Sequence, residues 1–190
     1  MSSVVISGDT SGNITVSAPA VAGSNTLTLQ AATATNAVNT LGTAVASTSG
    51  TSIDFTGLPS WIKRITVMFN GVSTSGTSQY LVQIGSGSTT ITGYVSASSR
   101  TSGGATAYTT YTAGFGWNSQ TAAEVNSGHM SLTNISGNIW VSSHAGNSTV
   151  CTLSGGGVIT LGGTLDRIRI TTVNGTDTFD AGSVNILYEG

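Results

Sequence analysis

The stretch LDRIRITTV, residues Leu165–Val173, alternates apolar and polar side chains with a period of two. Ile168 and Ile170 fall on one face, while Arg167 and Arg169 fall on the other. This alternation predicts a half-buried β-strand, because successive side chains of a strand point to opposite faces of its sheet. The stretch therefore indicates a sheet with one face packed on a core and one face in water.

The same period recurs through much of the chain from residue 47 onward. Ile65, Val67 and Phe69 form one apolar face, and Val184 and Ile186 form another together with Tyr188. About ten short strands separated by Gly, Asn and Ser turns are typical of an antiparallel β-sandwich or jelly roll. Further strands are predicted at 53–55, 80–84, 90–95, 113–117, 129–134, 139–143, 150–153 and 158–161. We therefore predict an all-β fold, with residues 47–190 forming a β-sandwich knob.

Three glycine-rich pieces interrupt these strands: 85–88, 103–104 and 155–157. None contains the Gly-Lys-Ser/Thr sequence of a phosphate-binding loop, and none opens a helix. We predict that all three are hairpin or loop tips. The only candidate helix, 121–126, is too short to carry weight.

Residues 1–46 form a separate compositional block that lacks aromatic residues and has Asp9 as its single charged residue. Alternating apolar positions predict short strands, and small residues elsewhere in the block allow close approach between chains. We predict an extended, β-rich attachment and assembly segment; the alternative is a flexible Thr/Ala-rich linker. The predicted assembly positions are Val4, Ile6, Ile14, Val16, Leu27 and Leu29.

The composition excludes several classes of protein. The chain has 5 basic and 7 acidic residues, whereas Ser, Thr and Gly account for 86 of its 190 residues. Five scattered basic residues cannot form the cationic surface that nucleic acid requires. No apolar run reaches the roughly 18 residues of a membrane span, and we expect no membrane insertion. The single cysteine, Cys151, excludes an intramolecular disulfide.

No residue pattern predicts an enzyme. His129 or His144 could be combined on paper with a serine and Asp166, Asp177 or Asp180, but the Gly-x-Ser-x-Gly elbow is absent. Asp177 and Asp180 are more typical of a turn than of a glycosidase pair. Two histidines could also hold a metal between chains of a trimer. We predict no catalytic residue, no metal and no cofactor.

Aromatic residues cluster between 98 and 120, a stretch that we interpret as a long loop and a strand. Exposed rings beside hydroxyl and amide groups would suit the apolar faces and polar rims of sugars, and loops often carry binding sites. The candidate glycan contacts are Tyr108, Tyr111 and Trp117. The alternative is that Trp117 and Phe115 pack in the core or at a subunit interface.

Three stretches resemble fibre and appendage proteins of tailed bacteriophages. Residues 11–33, SGNITVSAPAVAGSNTLTLQAAT, resemble an N-terminal segment of those proteins, with Gln30 where proline is usual. Residues 53–76, IDFTGLPSWIKRITVMFNGVSTSG, and 166–190, DRIRITTVNGTDTFDAGSVNILYEG, resemble their C-terminal β-domain.

The resemblance implies a virion surface protein that forms a homotrimer. Its N-terminal segment would dock onto another virion protein, and its C-terminal knob would project outward. Two functions remain open. One is a short tail fibre or receptor-binding appendage that contacts a host-surface glycan. The other is a head fibre or capsid decoration protein with a structural role and no specific receptor.

Overall fold

The computed structural model describes residues 3–7, 13–17, 38–122 and 124–190. The chain divides into two compact units, Met1–Asn36 and Ala37–Gly190. Two of the predicted assembly positions, Leu27 and Leu29, lie outside the described residues.

The first unit contains an antiparallel hairpin. Its strands are β1 (Ser3–Ser7) and β2 (Asn13–Ser17). The register sets Val4 opposite Val16 and Ile6 opposite Ile14. Residues opposite one another in an antiparallel pair share a face. Four of the six predicted assembly positions therefore lie on one face of this hairpin.

The second unit is built only from strands and their connections among its described residues. They are β3 (Asn39–Leu41), β4 (Val45–Ala46), β5 (Ser52–Thr56), β6 (Arg64–Thr74), β7 (Tyr80–Ser86), β8 (Ser88–Thr89), β9 (Val95–Ser102), β10 (Ala105–Tyr111), β11 (Phe115–Trp117), β12 (Asn126–Ser136), β13 (Ile139–Asn147), β14 (Thr152–Thr160), β15 (Arg167–Thr172) and β16 (Phe179–Glu189). The prediction of an all-β chain is confirmed for this part of the molecule.

The strands form two antiparallel sheets. The larger has nine strands in the order β10-β9-β14-β13-β12-β6-β16-β3, and β4 also pairs with β16. The smaller has five strands in the order β11-β7-β15-β5, with β8 paired to β7. Buried residues from both sheets form one hydrophobic core, so the architecture is β-sandwich-like. We call the face of the larger sheet that points away from this core its outer face.

The burial of residues on the central strands follows the predicted alternation. Ile65 and Val67 of β6 have no exposed surface and Phe69 is 4 % exposed, whereas Thr66 and Met68 between them are half-buried. Such burial provides most of the favourable free energy of folding, since each large apolar side chain contributes about 1.5–3 kcal/mol. The sheets are thus held together mainly through β6, β12, β16 and their partners in the smaller sheet.

The interior becomes polar toward the β10 edge of the larger sheet. Ser96 and Ser98 of β9 and His144 of β13 point inward and are buried, as are Asn118 and Glu124. Buried polar groups are tolerated when hydrogen bonds replace the bonds to water that they lose. This end of the sandwich therefore depends on specific polar contacts more than on apolar packing.

Sequence predictions about local structure are wrong in three places. Residues 90–94, predicted as a strand, belong to none, and β9 begins only at Val95. Residues 155–157 are not a loop tip, because they lie in the middle of β14. A Cβ at Gly155 would lie 2.3 Å from the Ala97 carbonyl oxygen and 2.5 Å from His144 Cε1. Glycine is needed there for close packing and not for a turn. The stretch 98–120 is likewise no long loop, since it contains most of the β9–β10 hairpin and all of β11.

The domain boundary differs from the one expected at 46/47. Strands β3 and β4 pair with the C-terminal strand β16, which places residues 39–46 in the second unit. Backbone bonds between Val38 and Gly190 extend this pairing to the end of the chain. The strand signal of β3 is weak in the sequence because it is only three residues long.

Candidate functional site

Tyr108 and Tyr111 border a groove at the β10 edge of the larger sheet. The groove has a volume of about 280 Å³. Ala97, Thr110 and Gly156 line it on the outer face. We call it the Tyr108 groove. Its other lining residues are Tyr94, Val95, Ser96 and Thr112.

The two tyrosines of this groove differ sharply in exposure because they lie on opposite faces of β10. Tyr108 is 67 % exposed on the outer face, whereas Tyr111 is only 6 % exposed and its ring packs against Gly116. Burial raises the pKa of the Tyr111 phenol well above its ordinary value. The Tyr111 hydroxyl also has no hydrogen-bond partner among the described residues. Tyr108 therefore offers an exposed ring to a ligand in the groove, whereas Tyr111 is a buried part of the groove lining.

Trp117 does not belong to the groove, and its assignment as an exposed glycan contact is wrong. It has no exposed surface. Its indole Nε1 donates to Asn126 Oδ1 at 3.2 Å, and its ring stacks on His144 with centroids 5.0 Å apart. A Cβ at Gly146 would lie 2.3 Å from the same ring, so glycine there makes room for it. The alternative interpretation, that Trp117 and Phe115 pack in the core, agrees with their burial.

A buried serine–histidine contact lies behind the groove. Ser98 Oγ is 3.0 Å from His144 Nε2, and the Asn118 N–H donates to Ser98 Oγ at 3.3 Å. Burial lowers the pKa of His144 to about 4, so the imidazole is neutral near pH 7. His144 Nδ1 has no hydrogen-bond partner among the described residues. No carboxylate therefore orients the ring in the way that a hydrolytic triad requires.

The three aspartates considered for a triad form hydrogen bonds elsewhere. Asp166 accepts bonds from Arg167, Asp177 accepts one from the Ser78 N–H, and Asp180 accepts one from Ser73. Ser98 is only 1 % exposed, so a substrate carbonyl has no path to its hydroxyl. The arrangement is that of a buried core contact, and the Ser98 hydroxyl cannot act as a nucleophile in this conformation.

Glu124 is the centre of a second polar cluster, which our sequence analysis missed. Its carboxylate accepts hydrogen bonds from Arg100 Nη2 at 2.7 Å, Ser119 Oγ at 3.0 Å and the Gln120 N–H at 2.6 Å. Burial alone would raise the pKa of Glu124, but these hydrogen bonds and the Arg100 charge outweigh it and lower the pKa. Ser148 Oγ donates to the same carboxylate at 3.3 Å.

The signal for this cluster was present in the composition. Arg100 and Glu124 are the only charged residues between Arg64 and Asp166. Two opposite charges isolated in a charge-poor stretch are the residues that would have to pair if the stretch is buried. The sequence therefore allowed the prediction of an Arg100–Glu124 contact.

A second groove and the two histidines are the other candidates for a binding site. A groove of about 380 Å³ on the outer side of the smaller sheet is lined by Gln83, Ile91, Arg169 and other residues, none of which is aromatic. Within the described ranges, no group of three or more His, Cys, Asp or Glu residues could hold a metal ion. His129 and His144 lie on opposite faces of the larger sheet.

Comparison with protein-family models, with curated proteins and with solved structures finds no match to this chain. Across the part of the chain that the structure describes, no helix has the length and apolar character needed to cross a membrane.

Proposed function

We propose that this chain is a non-enzymatic structural protein of a tailed-phage virion, a short tail fibre or receptor-binding appendage. The N-terminal unit, residues 1–36, would dock onto another virion protein, and the β-sandwich would be the knob that faces the host. The resemblance of residues 11–33, 53–76 and 166–190 to phage appendage proteins supports this proposal. The inaccessibility of the Ser98–His144 contact supports a role without catalysis.

A homotrimer held by the N-terminal segments is part of the proposal. Val4, Ile6, Ile14 and Val16 lie on one face of a two-stranded hairpin. An isolated hairpin is at best marginally stable in water, and an apolar face gains stability when another surface covers it. Three copies of the segment would provide that cover and would protect the strand edges.

The Tyr108 groove is the structural feature that best supports a receptor-binding role. The exposed ring of Tyr108 stands beside a depression formed by Ala97 and Gly156, with the Thr110 side chain at its border. A sugar ring could stack its apolar face on Tyr108 and direct its hydroxyl groups toward polar neighbours. The larger groove on the smaller sheet offers no ring for such stacking. A host-surface glycan is therefore the ligand class that we assign to the Tyr108 groove.

Glycan-array binding of the full chain tests this assignment. We expect Tyr108→Ala to weaken binding at least about tenfold, equivalent to 1.4 kcal/mol, and Tyr108→Phe to retain most of it because the ring face remains. Val173→Ala is the control, since Val173 is an exposed apolar residue that directly follows β15 of the smaller sheet. Equal binding by Tyr108→Ala and the unmodified protein would exclude the groove as the glycan site.

A head fibre or capsid decoration protein is the second candidate. It is favoured by the burial of Trp117 and Tyr111, which leaves Tyr108 as the single exposed ring among the three aromatic candidates. Cryo-electron microscopy of the virion would distinguish the two functions by position and copy number. A few copies on the tail support host attachment, whereas dozens to hundreds of copies on the capsid support decoration.

A further inference from the structure

The edge strands of the two sheets are not equally protected against pairing with another chain. Natural proteins protect such edges with short strands, charges, proline or bulges. β3, β4, β8 and β11 are two or three residues long, and β5 carries Asp54. The remaining edge strand, β10, has seven residues, ATAYTTY, with no charge, no proline and no bulge in its pairing with β9. No described residue pairs with its other side.

The backbone groups that β10 leaves free can be assigned from the turn that precedes it. Gly103 and Gly104 both have positive φ, which is the conformation of a two-residue type I′ hairpin turn. The flanking pair, Ser102 and Ala105, is then a hydrogen-bonded pair, and such pairs alternate along an antiparallel ladder. Bonds to β9 thus use every second residue of β10. The N–H and C=O groups of the residues between them point away from β9; these are Thr106, Tyr108 and Thr110.

We infer that β10 pairs antiparallel with β10 of a second copy of this chain, about a two-fold axis that lies midway between the two copies of Tyr108. The free groups are spaced symmetrically around this residue. Tyr108 would therefore exchange both of its backbone hydrogen bonds with Tyr108 of the partner subunit. Thr106 would do the same with Thr110 of the partner subunit, and Thr110 with Thr106 of the partner subunit. Every free backbone group of the three residues is satisfied in this single register.

The side chains favour the same register. The paired strands would bring together threonine opposite threonine and tyrosine opposite tyrosine, and both are favourable cross-strand pairs. No like charges meet, because β10 contains no charged residue. The ring of the partner subunit's Tyr108 would stand beside the Tyr108 groove of the first copy. The two copies together would then form a continuous site with two aromatic rings.

This contact is independent of the proposed virion function. It is isologous, so it joins copies in pairs, and a three-fold ring cannot set Tyr108 opposite itself. An assembly that also trimerises through its N-terminal segments would therefore contain an even number of copies, such as two trimers joined at their knobs. A protein with no affinity for glycans would form the same contact.

Variants of the full chain with one added cysteine test the register. The native Cys151 is buried, so any cross-link that forms would come from the added thiols on β10. We expect mild oxidation to cross-link Tyr108→Cys, whose sulfur atoms face one another across the axis. Thr106→Cys and Thr110→Cys should not cross-link alone, because each is about 14 Å from its own copy in this register. An equimolar mixture of Thr106→Cys and Thr110→Cys should cross-link. Equal cross-linking of all three single variants would overturn the register.

Light scattering of the unmodified chain in solution tests the pairing without any substitution. We expect an even number of copies, and Tyr108→Lys should halve the mass because it sets two like charges opposite one another. Ser99→Lys is the matched control, since Ser99 lies opposite Tyr108 on the neighbouring strand β9 and faces the same side. It should keep the original mass. A monomer or a trimer of the unmodified chain would overturn the inference.

Discussion

Arg100 Nη2 donates a hydrogen bond to Glu124 Oε1 at 2.7 Å, and the Glu124 side chain is only 1 % exposed. The contact joins the edge hairpin that bears the Tyr108 groove to the segment following β11. Ser148, in the connection between β13 and β14, donates to the same carboxylate oxygen. One buried carboxylate therefore holds three separate parts of the chain behind the groove.

Removal of this carboxylate should destabilise the fold strongly. Glu124→Ala leaves the Arg100 guanidinium without its partner at a largely buried position, and loss of one member of such a pair costs about 3–5 kcal/mol. The free energy of unfolding in urea is the measurement. Asp54→Ala is the control, because the Asp54–Arg169 pair is exposed and should contribute about 0–1 kcal/mol. Similar losses in the two variants would contradict the structural role of Glu124.

The free energy of unfolding should decrease as the pH is lowered, because His144 is buried. Its pKa is lowered by burial from 6.5 to about 4, so the unfolded chain takes up a proton at a higher pH than the folded chain does. The stability that comes from the neutral, buried His144 is fully present above pH 6.5 and is lost as the pH falls toward 4. Between pH 7 and pH 5 we expect the free energy of unfolding to decrease by about 2 kcal/mol.

Urea unfolding at pH 7 and pH 5 measures this loss. The lowered pKa of Glu124 affects stability only near and below its ordinary value of 4.5, so the upper part of the range reports on His144. His144→Gln should flatten the dependence between these two pH values. His129→Gln, at an exposed position on the opposite face, should keep the original dependence. An unchanged slope in His144→Gln would refute this assignment.

The space around Gly155, within β14, and Gly162, just after it, predicts different effects when each is replaced by alanine. Gly155→Ala would force a methyl group against the Ala97 carbonyl and the His144 ring, and we expect a loss of about 1–3 kcal/mol. Gly162→Ala meets nothing within 4 Å and has no positive φ, so it should be neutral or stabilising by up to about 1 kcal/mol. Thermal unfolding measures both variants. A loss in Gly162→Ala as large as that in Gly155→Ala would show that space is not the cause.

The central strands could be predicted from the sequence because a local pattern determines them. Ile65, Val67 and Phe69 alternate with half-buried or exposed positions, and burial follows the same period of two. The glycines at 155–157 were misinterpreted for the opposite reason. They are required by residues of the two neighbouring strands: Ala97 and His144 limit the space at Gly155, Ser142 limits it at Gly156, and Ser96 limits it at Gly157. Glycine in isolation favours the interpretation as a turn.

The candidate site could be predicted only in part. Tyr108 and Trp117 occur in similar Gly-, Thr- and Ser-rich surroundings, and no local signal separates an exposed ring from a buried one. The difference arises from tertiary partners, since Trp117 packs on His144 and Phe69. Tyr108 faces the other side of the sheet, where no described strand covers it. The side of the sheet to which a residue points is set by strand register, which a single sequence does not specify strongly.

Two truncations test where the second unit begins. A chain starting at residue 37 keeps the pairing of β3 and β4 with β16, so it should fold with nearly the stability of that unit in the full chain. A chain starting at residue 47, the boundary expected from composition, loses this pairing. It also loses backbone bonds such as that between the Gly42 N–H and the Ile186 carbonyl, at 2.7 Å.

Each such bond contributes about 1 kcal/mol net, and β16 would become an unprotected edge strand. We therefore expect the shorter chain to be less stable by several kcal/mol and more prone to aggregate, as measured by urea unfolding and light scattering. If both truncated chains unfold at the same urea concentration, residues 39–46 contribute nothing to the knob. The assembly segment would then extend to residue 46, as composition alone suggests.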